Sequence, residues 1–102
     1  MTTVTLFEGP NYYIRAKGHG IDTETCAALS IVLTSLANWA ASHGYPDQRL
    51  TPGDAEIRFP ASIPGADEIY KLAEIAFQGL AEDKIFLKKV QKLGQESENP
   101  RL

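Results

Sequence analysis

Residues 23–43 read TETCAALSIVLTSLANWAASH and contain no Asp, Glu, Lys or Arg after Glu24. Asp22 or Thr23 can cap a helix that begins here, and Gly44 is a residue type that commonly ends one. A helix on the surface of a monomer normally presents a charged face. This helix should therefore be covered on two sides, by a sheet and by either a second helix or a second copy of the protein. In so short a chain the second copy is favoured, which predicts a homodimer through residues 23–43.

Four other segments alternate apolar and polar side chains, as half-buried strands do. They lie around residues 2–7, 12–17, 54–59 and 85–90. A turn cluster containing Gly9 and Pro10 separates the first two segments, which therefore form a hairpin.

The remaining chain holds one more helix and one long connection. Residues 66–82 repeat apolar side chains at helical spacing and predict an amphipathic helix. Residues 45–53 contain two prolines and a glycine, and we interpret them as a surface connection. The resulting order, ββαβαβ, predicts an α+β fold with two helices packed on a four-stranded mixed sheet. Residues 1–92 would form this single domain, and residues 93–102 a polar C-terminal tail.

Composition narrows the class of protein. The chain has 102 residues, 43% of them hydrophobic, which suits one soluble domain. Its net charge is −3, and a binder of duplex nucleic acid needs clustered Lys and Arg, so no nucleic-acid partner is expected. One cysteine and two histidines support neither a disulfide nor a zinc site. We therefore expect no metal and no cofactor.

The sequence also suggests a compartment. The first eight residues lack the basic and apolar regions of a signal peptide. The stretch from 25 to 41 is interrupted by serine, threonine and asparagine, and it is too short and polar to span a bilayer comfortably. These features predict a cytoplasmic protein with no membrane partner.

The single cysteine, Cys26, lies in the first turn of the predicted helix, seven residues after His19. Unpaired N–H groups at a helix N-terminus favour an anion, and an imidazole nearby can take the thiol proton. The same N–H groups can stabilise an oxyanion during acyl transfer. A loop of six residues lets the two side chains meet without requiring it, so His19 and Cys26 are a candidate base and nucleophile.

Three alternatives stay open at this stage. Cys26 begins an apolar run, so it can be a core filler with no chemistry, which would make the protein a catalytically silent interaction or structural module. Asp22 can either orient the imidazole or, together with Glu24, disfavour an anionic sulfur. Ser30 lies one turn beyond Cys26, where it can hydrogen-bond near the site, but bonding back to its own helix carbonyls is favoured.

The segment Gly18-His19-Gly20, followed by CAALS at 26–30 and a long apolar helix, resembles the ribosomal-processing cysteine protease (Prp) family. The element order and the layout of the later strand, helix and strand are similar too, over roughly residues 4–90. The loop between His19 and Cys26 is shorter than is typical of the family and has fewer glycines. Thr23 stands where the family has an aspartate, with Asp22 one place earlier.

The resemblance implies a homodimeric cytoplasmic cysteine endopeptidase that trims an N-terminal extension from a specific protein. Members act on a large-subunit ribosomal protein, and phage-encoded relatives act on capsid or scaffold proteins. By motif position, His19 would be the general base and Cys26 the nucleophile, and Ser30 matches a serine of the family. The implied partners are a protein or peptide substrate and a second copy of the chain.

Overall fold

The structure, a computed structural model, describes residues 1–91, so the predicted tail at 93–102 lies outside the described residues. Five strands and two helices follow one another in the order β1 (Thr2–Glu8), β2 (Asn11–Lys17), α1 (Thr23–Ser42), β3 (Arg49–Thr51), β4 (Asp54–Pro60), α2 (Ala66–Leu80) and β5 (Ile85–Gln91). The α+β class and both helices are confirmed.

The strands form one mixed sheet in the order β3-β4-β2-β1-β5. β1 runs antiparallel to β2, β2 to β4 and β4 to β3, whereas β5 runs parallel to β1. The β1–β2 pair is the predicted hairpin. α2 crosses from β4 to β5, which lies beyond β2 and β1, so β5 runs in the direction of β4 and therefore parallel to β1.

The predicted strand count of four is wrong, because β3 is a fifth strand within residues 45–53. It has only three residues, all exposed, so it shows no alternation that a sequence pattern can detect. A tight turn at Pro52 and Gly53 joins it to β4, and Gly53 has a φ of 77°. A Pro-Gly pair with positive φ at the glycine is typical of a type II turn. That pair was the available signal for a hairpin.

One face of the sheet is apolar and carries both helices. α1 and α2 pack into the same core as the central strands, and the Trp39 ring meets Phe59 edge-on at 5.1 Å between centroids. The buried residues include Val4, Leu6, Ile14, Ile57 and Phe59 from the sheet, Leu29, Leu33 and Leu36 from α1, and Tyr70 and Phe77 from α2. On the other face, ion pairs join Arg15, Arg49 and Arg58 to Asp54 and Glu56.

α1 is covered on one side only. The sheet and α2 bury residues such as Leu29, Leu33 and Leu36, but Ile31 on the opposite side is 68% exposed. By length and composition this helix could cross a membrane. One third of that apolar stretch is buried, by the sheet and α2. Beyond Glu24, this outer side carries no Asp, Glu, Lys or Arg.

Candidate active site

Cys26 lies in the first turn of α1, and its side chain is exposed. Asp22 is the N-cap residue: its Oδ1 accepts a hydrogen bond from the Thr25 N–H at 2.7 Å, and its carbonyl accepts one from the Cys26 N–H at 3.1 Å. Helical side chains lean toward the N-terminus, which directs the sulfur back to the loop that precedes the helix. A Cβ on Gly20 would lie 2.6 Å from Sγ, so the sulfur rests against a position that only glycine can occupy without a shift. The interpretation of Cys26 as a core filler is wrong.

His19 is exposed on the loop that follows β2, and its ring rests on the β3–β4 turn. A Cβ built on Gly53 would lie 3.0 Å from Cε1 and 3.1 Å from Nε2 of the imidazole. The backbone beneath the ring is tied to β2, because the Gly18 N–H donates to the Gly53 carbonyl at 2.9 Å. The turn therefore supports one side of the imidazole through close backbone contact.

His19 and Cys26 line the same cavity, which has a volume of about 410 Å³. Ala16 and Ala55 contribute to it from the sheet, and Leu50 from β3. α1 lines it through Cys26, Leu29, Ser30, Leu33 and Thr34, a set whose spacing marks a single face of a helix. The structure thus brings together the two residues that the sequence singled out, in a cleft open to solvent.

The Asp22 carboxylate has two hydrogen-bond partners, of which the sequence predicted only the helix cap. Its carboxylate caps α1 at Thr25, and its Oδ2 lies 3.1 Å from Nζ of Lys84. Hydrogen bonds from Thr25, side chain and backbone, and from Lys84 lower the pKa of Asp22 from 3.8 to about 2. The carboxylate is thus committed to the helix cap and to an ammonium group, which compensates the negative charge near the sulfur.

Ser30 lines the cavity one turn beyond Cys26 and is exposed. Within residues 1–91 its hydroxyl makes no hydrogen bond, so the bond to a helix carbonyl that the sequence favoured is not formed. The hydroxyl is available to a molecule in the cavity.

The N–H groups that could stabilise an oxyanion are fewer than the sequence suggested. Those of Thr25 and Cys26 already donate to Asp22. An N-terminal turn leaves four N–H groups without helical partners before caps are counted. Thr23 and Glu24, which precede the capped pair, therefore carry the first N–H groups of α1 that could face an anion.

The sequence did not predict that residues 50–53 line the cavity, because they belong to the β3–β4 hairpin and the sequence predicted only a surface connection there. Lys84 was not predicted either, because it is 62 residues from Asp22, and no local pattern links them. The Pro52-Gly53 pair was the one sequence signal for any of these contacts.

No family model matches this chain, and no curated protein sequence matches it. Solved structures do share its fold, including the two that follow. One is an essential ribosomal processing protease, Prp, from S. aureus in complex with a covalently linked product peptide. It has a TM-score of 0.66 and 24% identity, over 87% of this chain and 99% of that one. The other is SMU.848 from Streptococcus mutans, with a TM-score of 0.62 and 16% identity, over 90% and 99% of the two chains. The likeness to the Prp fold that the sequence suggested is therefore confirmed: this chain folds as a ribosomal processing protease does.

Proposed function

We propose that the protein is a Prp-like cysteine endopeptidase in which Cys26 is the nucleophile and His19 the general base. The observation that carries the proposal is the exposed Cys26 sulfur at the start of α1, facing a cavity that His19 also lines, in a fold shared with a protease. The sulfur lies where a helix N-terminus favours negative charge.

The chemistry follows from these two groups. The imidazole of His19 takes the proton of the Cys26 thiol, and the sulfur attacks the carbonyl carbon of a peptide bond. The tetrahedral adduct collapses to a thioester as the imidazolium returns its proton to the leaving amine. Water, deprotonated by the same imidazole, then hydrolyses the thioester and regenerates the thiol. The N–H groups of Thr23 and Glu24, which Asp22 does not occupy, would stabilise the oxyanion in both adducts.

The proposed substrate is a specific protein with an N-terminal extension, either a large-subunit ribosomal protein or a phage capsid or scaffold protein. The S. aureus relative carries a covalently linked product peptide. A cleft about 410 Å³ in volume that opens at the end of a sheet suits a segment of polypeptide. We place this reaction in the cytoplasm and assign no role to nucleic acid.

Alkylation of the native protein by iodoacetamide tests the pair. We expect Cys26 to react readily at and below about pH 8, because the thiolate is the reactive form and a nearby imidazole promotes it. His19→Ala should slow this reaction at low pH, whereas His43→Ala is the matched control. His43 bonds the Trp39 carbonyl at the other end of α1. Equal rates in the wild type and His19→Ala would contradict the base assignment.

We also propose a homodimer through the outer side of α1. Beyond Glu24 this side carries no Asp, Glu, Lys or Arg, and Ile31 on it is 68% exposed. Sedimentation at micromolar protein concentration should give the mass of two chains, and Ile31→Glu should shift it to one, because a buried unpaired carboxylate strongly disfavours an interface. A wild-type protein that sediments as a monomer would contradict the proposal.

A further inference from the structure

The edge of the sheet at β3 borders the cavity. β3 is the last strand on its side, and Leu50, Thr51 and Pro52 all line the cavity that holds His19 and Cys26. An edge strand presents unpaired backbone N–H and C=O groups to any extended chain beside it. Which of these groups point outward follows from the register.

Leu50 is the β3 residue whose backbone groups point away from β4. Thr51 and Asp54 flank the two-residue turn and pair across it, so their N–H and C=O groups face each other. Residues opposite each other in an antiparallel ladder alternate between bonded and non-bonded pairs, which makes Leu50 and Ala55 a non-bonded pair. The Leu50 N–H and C=O therefore point out of the sheet, and among residues 1–91 no bond to them from outside the ladder is formed.

The same edge is closed beyond β3. The side-chain amide of Gln48 accepts a hydrogen bond from the Arg58 N–H at 2.8 Å and donates one to the Arg58 carbonyl at 2.9 Å. This amide occupies backbone groups of β4 that a neighbouring strand would otherwise use. The open part of the edge is therefore Leu50, next to the cavity.

The side chain of Leu50 supports the same role. Leu50 and Ala55 lie opposite each other, so their side chains share the face of the sheet that carries α1. Leu50 is 44% exposed, although an apolar side chain on an edge strand is a liability that proteins usually avoid. It therefore offers an apolar contact on the cavity side, and its backbone offers a donor and an acceptor at the edge.

We propose that a peptide substrate binds as an added strand along β3, with one of its residues paired to the N–H and C=O of Leu50. This inference rests on the proposed function for the identity of the occupant. Leu50 and Gly53, which lies beneath the His19 ring, both line the cavity that holds Cys26. The paired residue of the peptide would therefore lie beside the proposed nucleophile. Backbone pairing would supply part of the affinity, and side-chain contacts such as that with Leu50 would supply specificity, as in other peptide-binding edges.

Leu50→Pro removes the outward N–H without breaking a ladder bond, because proline is tolerated on an edge strand where its nitrogen faces solvent. Leu50→Ala is the matched control, since it shortens the side chain and keeps the N–H. Both changes are made in a Cys26→Ala background, so that bound peptides remain uncut. The probe is a library of random-sequence dodecapeptides with blocked termini, passed over the immobilised protein.

We expect Leu50→Pro to weaken retention of the peptide pool about tenfold, and more than Leu50→Ala does, because a peptide carbonyl loses its donor. When the retained peptides are added to the Cys26→Ala protein, hydrogen exchange at the Leu50 amide should slow. This measurement keeps the native Leu50. Equal losses in the two variants with unchanged exchange, or no retention at all, would overturn the inference. The inference would also be overturned if exchange at the Leu50 amide slowed with rising protein concentration and no added peptide. That result would mean that a second copy of the chain pairs with the edge.

The retained pool, given to the wild type, separates the two ideas. If the wild type cleaves these peptides and Leu50→Pro has no effect, the protease proposal is supported and the added strand is contradicted. If retention depends on the Leu50 N–H but no peptide is cleaved, the peptide-binding edge is supported and the protease proposal is contradicted.

Discussion

Cys26→Ala should reduce cleavage of a substrate protein by at least about a thousandfold. The sulfur is the atom proposed to form the covalent intermediate, and no other cysteine exists in the chain to replace it. Candidate substrates with N-terminal extensions are incubated with each protein, and the new N-termini are identified by mass spectrometry. Cleavage by the wild type alone is the expected result.

Two controls separate chemistry from folding. Cys26 is exposed, so its replacement should leave the melting temperature nearly unchanged, as for most surface substitutions. Cys26→Ser keeps the shape of the side chain and supplies a much weaker nucleophile, so it should resemble Cys26→Ala. Equal cleavage by the wild type and Cys26→Ala would contradict the proposal that this protein is a cysteine protease.

Local signals were enough to predict most elements of this fold. Asp22 caps α1 and Gly44, with a φ of 96°, follows its end, so the helix limits came from short-range chemistry that the sequence displays. The seven-residue strands alternate in burial because one face of the sheet meets the helices and the other meets water. Such patterns depend only on neighbouring residues, and a single sequence contains them.

The parts that were missed depend on contacts between distant residues. Lys84 reaches Asp22 only because the connection between α2 and β5 passes beside the start of α1. β3 has too few residues to show a period, and its role as a cavity wall depends on where the sheet ends. The candidate pair, His19 and Cys26, could be predicted because a short loop joins the two residues. The position of Gly53 beneath the His19 ring could not, because it depends on a distant hairpin.

Gly53→Ala should slow both alkylation of Cys26 and cleavage by about tenfold. The methyl group would lie 3.0 to 3.1 Å from the ring of His19, closer than an ordinary contact, so the imidazole must move. The shift is a few tenths of an ångström, and since a displacement of about 1 Å can cost a hundredfold in rate, we expect a loss of about tenfold. The change also places an L-residue at a φ of 77°, which costs about 1–2 kcal/mol of stability.

Gly44→Ala is the matched control for this prediction. Gly44 has a φ of 96°, so alanine meets similar backbone strain there, but nothing lies within 4 Å of its Cβ. Both variants should therefore lose comparable stability in thermal unfolding, and only Gly53→Ala should lose reactivity at Cys26. If the two variants react at the same rate, the β3–β4 turn does not hold the imidazole. If Gly53→Ala alone is slow, the turn positions the base through van der Waals contact with its ring.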